Sequence, residues 1–331
     1  MSSSSSPGHA SSNPWLEAIA RRGVGGLGRW WPEVSGWLGF QLFSTPIRGY
    51  YKIPAADQAV LARAQSVKLH TWIDQRRCAL QVYVWGDRDR PTVLLLHGWM
   101  SSSAQMTALV EPLLAAGFRV IALDGPAHGG SSLVQTNLRH FGQAIKAVMR
   151  QFGPLHSFIG HSFGAASSLV LLYEDVAVTP QILPRLTLIA SPAETQFMMQ
   201  VIVRAIGGCD RVEANMRQRF LDRYGEPIES FSLSKMASTL VAEQWLPGLV
   251  VHDQDDALIP FEQGEAIARA WPGAEFMATA GLGHGDILRD ATVIHRVVQF
   301  QKEPVQREQI QSQQRQFHHD HRRSSHENLH R

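Results

Sequence analysis

Cysteine is almost missing from this 331-residue chain: Cys78 and Cys209 are the only two, with no CxxC and no metal-ligand spacing. That excludes a disulfide framework and a structural zinc site and makes a reducing cytoplasm the expected compartment. Net charge is equally scarce, since 31 Lys and Arg against 29 Asp and Glu leave a formal +2. Such a balance cannot build the broad positive field that nucleic-acid binding draws on, so no nucleic-acid partner is expected. No window reaches the ~18 uninterrupted apolar residues of an integral membrane segment. Met1 to His9, with five serines, Pro7 and Gly8, has no charged start leading into an apolar stretch, so no secretory leader is read there.

What is present is globular, with 44% apolar and 18% charged residues. Residues 1–14 are Ser-rich and residues 301–331 rich in Gln, His and Arg; both are expected to be disordered tails, because neither can offset its ordering entropy by burial. His318, His319 and His321 in the second tail have no fixed geometry and are read as adventitious for metal at most. Residues 15–67 hold Trp15, Trp30, Trp31, Trp37, Phe40, Phe43, Tyr50 and Tyr51, a density that predicts packing onto the core. Gly23 to Gly28 in this stretch match G-x-G-x-x-G by letter, but no strand precedes them, so no nucleotide site is assigned.

From residue 68 onward, short β-branched runs alternate with helical patterns. Strands are predicted at Leu80–Trp85, Thr92–His97, Arg119–Asp124, Ser157–Gly160, Arg185–Ala190, Leu249–His252 and Glu275–Thr279. Helices are predicted at Gln105–Ala116, Asn137–Phe152, Ser162–Glu174, Phe261–Ala270 and Asp290–Phe300. This alternation predicts an α/β fold with a mostly parallel, doubly wound sheet. Leu80–Trp85 alternates and reads as an edge or antiparallel strand. Residues 192–246 show only helical patterns, at Thr195–Ile206, Glu213–Tyr224 and Ser234–Val241; they read as a helical cap inserted into a core of residues 68–191 and 247–300.

The strongest chemical signal is Gly160-His161-Ser162-Phe163-Gly164, a G-x-S-x-G directly after an apolar strand and before a helix. Flanking glycines permit a tight strand-to-helix turn that exposes the serine hydroxyl, and the helix N-terminus beneath favours developing negative charge. Together with Leu94-Leu95-Leu96-His97-Gly98-Trp99, the turn Asp124-Gly125-Pro126-Ala127-His128-Gly129-Gly130-Ser131, the acid loop Val250–Pro260 and the loop Gly281-Leu282-Gly283-His284-Gly285, it resembles the α/β-hydrolase superfamily over roughly Lys68 to Phe300. Ala127 departs from the glycine usual in that turn. The resemblance implies a sheet of about eight strands and a triad of Ser162, Asp256 and His284 in the chain order of that fold. The hydroxyl needs an imidazole to take its proton, and the imidazole needs a carboxylate to fix its tautomer.

Counting four residues back from Pro260, as acid loops of the family do, selects Asp256. Asp253 and Asp255 then read as solvated or loop-stabilising, and Glu194 is the alternative acid used by some branches. His97 and His128 read as structural, bonding backbone within their loops, and His161 as a neighbour without a chemical role. The oxyanion hole is expected from the backbone N–H groups of Trp99 and Phe163. Trp99, Met100, Met106 and Phe163, with Phe197, Met198 and Met199 from the cap, are expected to line an apolar acyl pocket. These features predict a cofactor-independent serine hydrolase acting on a small carboxylic ester or thioester. An acyltransferase, a C–C bond hydrolase and a non-catalytic binding protein with the same fold stand as alternatives. Attachment of the aromatic stretch to a membrane surface is disfavoured, because its many glycines and prolines spoil a long amphipathic helix despite Arg21, Arg22 and Arg29.

Overall fold

The computed structural model describes residues 30–175, 184–243 and 246–304. Residues 1–29, which hold the first tail and the Gly23–Gly28 match, and residues 305–331 with the C-terminal histidines lie outside the described residues; Gln301 and Lys302, read as the start of the second tail, instead close the last helix, with Gln301 buried against the sheet. Eight strands form one sheet in the order β1-β2-β4-β3-β5-β6-β7-β8. They are β1 (Gln65–Ile73), β2 (Arg76–Trp85), β3 (Thr92–Leu96), β4 (Arg119–Asp124), β5 (Ser157–His161), β6 (Arg185–Ile189), β7 (Gly248–Asp253) and β8 (Glu275–Thr279). β1 and β2 are antiparallel to each other and β2 to β4, while the other neighbours run parallel. β3 through β7 are buried along their whole length, as strands covered on both faces must be.

The sequence reading missed β1. Gln65, Ser66, Lys68 and His70 break up its apolar residues because it is the sheet edge, mostly exposed and with only Ile73 buried. Its presence makes β2 an interior antiparallel strand instead of the edge.

Eleven α-helices occur among the described residues: α1 (Pro32–Ser44), α2 (Ala55–Ala62), α3 (Val110–Ala115), α4 (Leu138–Phe152), α5 (Phe163–Asp175), α6 (Thr195–Ala205), α7 (Asp210–Tyr224), α8 (Leu233–Glu243), α9 (Phe261–Ala270), α10 (Gly283–Asp286) and α11 (Ala291–Lys302). Asn137 and Asp290 cap α4 and α11 by accepting backbone N–H bonds, which stops each helix one residue short of its predicted start. The predicted helix Gln105–Ala116 is split into a 3₁₀ segment, Ser103–Leu109, and α3. Pro112 supplies no N–H for the carbonyl four residues back, so an unbroken α-ladder through this point cannot form.

Contacts divide the chain into two compact units. One holds the sheet and comprises residues 44–195 and 231 onward; the other comprises the chain up to Phe43 together with Gln196–Ser230. The insertion is therefore shared. α8 packs on α5 and α9 in the sheet unit, whereas α7 packs on α1 in the second. There a Cβ on Gly36 would fall 2.4 Å from Asn215 Oδ1 and one on Gly39 2.6 Å from Met216 Sδ, so both glycines let the helices approach closely. Phe40 and Phe43 complete that contact against Tyr224 and Phe220, with ring centroids 6.4 and 6.3 Å apart.

In the sheet unit the chain leaves β3 toward β4 and later returns to place β5 on the other side of β3. Such a reversal opens a crevice at the carboxyl ends of the two strands, the usual ligand position in an open α/β sheet. The loop after β3 and the Ser162 turn after β5 stand at that point.

Candidate active site

Ser162 is the single residue between β5 and α5, and its φ of +51° lies in the left-handed region. A non-glycine residue there costs about 1–2 kcal/mol, so the surroundings must hold it. The Ser162 N–H donates to Ile189 O at 2.8 Å, tying the turn to the end of β6. A Cβ on Gly160 would lie 2.5 Å from the Ala165 backbone, and one on Gly164 2.5 Å from Leu96 O. Backbone thus approaches from both sides, leaving room for hydrogen only. Gly164→Ala is expected to destabilise the fold by about 2 kcal/mol, read as a lower thermal midpoint; an unchanged midpoint would show that the strand and helix can move apart.

Asp256 and His284, the expected acid and base, stand in the loops after β7 and β8. His284 Nδ1 donates to Asp256 Oδ2 at 2.7 Å. The other oxygen, Asp256 Oδ1, accepts the N–H groups of Leu258 and Ile259 at 2.9 and 2.8 Å. Burial by itself would raise the Asp256 carboxyl; the His284 bond and these backbone donors outweigh it and hold the group below the usual carboxylate range. The carboxylate stays charged and keeps the His284 proton on Nδ1, so Nε2 is the nitrogen free to take another.

The neighbouring acids have different tasks. Asp253, fully buried, is not solvated: it accepts from Thr279 Oγ1 at 2.7 Å and from the N–H groups of Asp255, Leu282 and Gly283 at 3.0, 3.2 and 2.9 Å. It binds the acid loop to the histidine loop. Asp255 accepts the Gly281 N–H at 2.7 Å. Glu194 accepts the hydroxyls of Ser232 and Ser234 at 2.7 and 2.8 Å and braces the root of the insertion.

Four histidines around the site are buried and held neutral; the sequence reading assigned no role to His252 and gave the other three less than they do. His161 is not idle: its Nε2 donates to the His284 carbonyl at 2.8 Å, and the two rings lie 4.7 Å apart. Burial, then the neighbouring His284, push the His161 imidazole down to about 3. His252 donates from Nε2 to Ile259 O at 2.9 Å and so props the acid loop. His97 accepts the Gly125 N–H on Nε2 at 3.0 Å while Nδ1 donates to Gly98 O, and His128 accepts the Met100 N–H on Nε2 at 3.1 Å while Nδ1 donates to Pro126 O. Both therefore bridge two loops instead of staying within one. Only the neutral Nδ1–H tautomer allows this, and burial favours it by lowering both pKa values. Ala127 keeps the turn of the glycine it replaces, at φ +68°.

These bonds sort the N–H groups of the loop after β3. Gly98 N–H donates to Gln105 Oε1 at 2.9 Å, Met100 N–H to His128 and Ser101 N–H to Gly98 O at 3.3 Å. Among the described residues no acceptor takes the N–H of Trp99, and Phe163, opening α5, has no helical carbonyl before it to accept its own. The two rings pack against each other with centroids 4.9 Å apart. Met100 is buried behind them at φ +57°. Met106, expected in the pocket, belongs instead to the hydrophobic core with Leu95, Leu109 and Leu113. On α6, Met199 is fully buried, whereas Phe197 and Met198 keep part of their surface.

A carboxylate from the aromatic segment braces two of these loops. Asp57 on α2 accepts from Thr107 Oγ1 at 2.7 Å, from Arg289 at 2.5 and 3.2 Å and from Tyr51 at 3.2 Å. Thr107 follows the Trp99 loop and Arg289 the His284 loop. Burial would raise the Asp57 carboxyl, but the bonds from Arg289 and Thr107 bring it below its usual range.

A model described as the "Alpha/beta hydrolase family" matches residues 93–297. The chain is 26% identical over 253 residues to the bifunctional esterase/perhydrolase of Acinetobacter calcoaceticus, covering 64% of this chain and 91% of that protein. It is 27% identical over 168 residues to human serine hydrolase-like protein 2, covering 47% of this chain and about half, 49%, of the relative. Among solved structures it resembles the 2-hydroxy-6-oxo-6-phenylhexa-2,4-dienoate hydrolase of Rhodococcus with a TM-score of 0.52 and 18% identity over 72% of this chain and 98% of that one. A putative lipase of Acinetobacter baumannii gives 0.53 and 17% over 76% and 97%.

Proposed function

Because the chain belongs to the alpha/beta hydrolase family, we propose that it is a serine hydrolase that cleaves a carboxylic ester or thioester through an acyl-enzyme on Ser162. The 2.7 Å bond between His284 Nδ1 and Asp256 carries this reading, since it leaves Nε2 of His284 for proton transfer, and His161, the residue before Ser162, packs its ring 4.7 Å from that of His284. Ser162 Oγ attacks the carbonyl carbon while His284 takes its proton. The developing oxyanion accepts the N–H groups of Trp99 and Phe163, preorganised donors worth about 2.7–4 kcal/mol each in comparable sites. Collapse breaks the bond to the alcohol or thiol, which leaves with the proton from His284, and a water repeats the sequence to release the acid. No step calls for a cofactor. The word esterase in the name of the Acinetobacter relative supports the substrate class.

A fluorophosphonate probe is expected to label Ser162 and to leave Ser162→Ala unlabelled; equal labelling of both would overturn the nucleophile. Chain-length series of nitrophenyl esters and acyl thioesters then define the acyl group. Phe197 and Met198 on α6 keep part of their surface, and we assign them to acyl-chain selection. Met198→Gln and Phe197→Ala should therefore shift the chain-length optimum with little change in probe labelling. An unaltered profile would remove α6 from substrate selection.

A further inference from the structure

Asp57 enters the sheet unit from ahead of β1, outside the run of alternating strands and helices, and its side chain is 4% exposed. A buried ion pair is a poor source of stability, since desolvation takes back most of the attraction and well-packed apolar residues of similar volume serve as well or better. α2 already has apolar anchors: Val60 and Leu61 pack against the hydrophobic core, and the Val60 carbonyl accepts the Trp85 indole N–H at 3.1 Å. What apolar contacts cannot supply is direction. Asp57 takes donors from two different loops, Thr107 on Oδ1 and Arg289 on both oxygens, and hydrogen bonds are directional. One carboxylate thereby fixes where the two loops stand relative to each other.

Each arm reaches the proposed chemistry through short hydrogen-bonded steps. Thr107 lies in the 3₁₀ segment Ser103–Leu109, and Gln105 of that segment accepts the N–H of Gly98, the residue before Trp99, at 2.9 Å. The Arg289 N–H donates to the Asp286 carbonyl at 2.8 Å, and Asp286 closes α10, the short helix that carries His284. Arg48, ahead of α2, adds a second hold on the Trp99 loop. It donates to the carbonyls of Gly129, Ser131 and Leu133 at 3.1, 2.6 and 2.7 Å, in and just after the turn whose His128 accepts the Met100 N–H. We infer that Asp57 is a positioning residue that couples the Trp99 loop, source of an oxyanion donor, to the loop that carries the base. The inference rests on the proposed reaction at Ser162, in which His284 Nε2 and the Trp99 N–H must act on the same serine and carbonyl at once; a misplacement of ~1 Å in such a site costs about a hundredfold in rate.

The test compares Asp57→Ala, Thr107→Val and Arg289→Gln with the wild type, well below their thermal midpoints. It reads kcat and KM on a nitrophenyl ester and amide hydrogen exchange over residues 98–103 and 281–287. Asp57→Ala should lower kcat about a hundredfold with KM within about twofold, and should speed exchange in both loops. Thr107→Val should speed exchange in the first loop only and Arg289→Gln in the second only, each at about a tenfold cost in kcat. Added to Asp57→Ala, neither should cost anything more, because the shared carboxylate is already gone. Arg289→Lys, which keeps the charge, should recover most of the loss seen in Arg289→Gln. Unchanged kcat and exchange in Asp57→Ala, even with a lowered thermal midpoint, would make the carboxylate a brace of the fold only and overturn the inference; so would a further full loss from the second substitution. A wild type that a fluorophosphonate leaves unlabelled at Ser162 would instead count against the proposed reaction, and the coupling of the two loops would still stand or fall on their exchange in Asp57→Ala.

Discussion

His284→Ala should lower kcat by roughly a million-fold and Ser162→Ala by a similar factor, with the double variant no worse than either, because the two act as one unit. Asp256→Asn is expected to cost about 10⁴-fold: the ring keeps its place, but the amide favours the wrong tautomer of His284. Asp255→Asn tests the choice of acid. Its side chain takes one backbone N–H at an exposed loop, so kcat should fall by less than about tenfold. Steady-state rates on a nitrophenyl ester separate these outcomes, and a greater loss at Asp255 than at Asp256 would reassign the acid.

Asp253→Asn should be the most destabilising of the loop substitutions. The buried carboxylate accepts three backbone N–H groups and the Thr279 hydroxyl; an amide offers one oxygen and turns two further donors toward the existing ones. Hydrogen bonds to a charged group contribute about 1.5–3 kcal/mol each, so a loss of about 3 kcal/mol, or roughly 10 °C in Tm, is expected. Burial works against ionisation of Asp253, but its four donors prevail and its carboxyl sits below the usual range. Asp57 and Asp256 are depressed likewise. A depressed carboxyl stabilises the fold fully above the unfolded value near ~3.9 and loses that contribution as pH falls through the lower folded value. The four neutral histidines have the same sign: their contribution starts to fade as pH drops below the unfolded value near ~6.5. Unfolding free energy measured against pH should therefore decline in two stages, the first from the imidazoles and the second from the carboxyls. A flat profile between pH 7 and 5 would show that the histidines are not held neutral.

The sheet's buried strands were legible because each is a short β-branched run bounded by turn residues, and Arg119–Asp124 and Glu275–Thr279 matched to the residue. The turn at Ser162 was legible because a tight strand-to-helix junction constrains Gly160, Ser162 and Gly164 together. Relations across loops were not. Nothing local in Gly160-His161-Ser162 says that His161 holds the carbonyl of a residue 123 positions later, and His128 bonding to Met100 is equally a matter of tertiary approach. Met106 was misplaced for the same reason: a buried methionine beside a loop reads alike whether it faces a pocket or a core. Edge strand β1 escaped because solvent asks for polar residues on both sides of it.

The separation along the chain of the parts at the carboxyl ends of β3, β5, β7 and β8 has a consequence during synthesis. Parallel pairings need long loops to close before they contribute, so they form late. A ribosome that has released Ser162 has more than a hundred residues to add before His284 emerges, and until β8 joins β7 no base can reach the hydroxyl. On the proposed reaction, Ser162 is therefore an inert alcohol in the nascent protein, and premature chain ends before β8 yield no stray hydrolase.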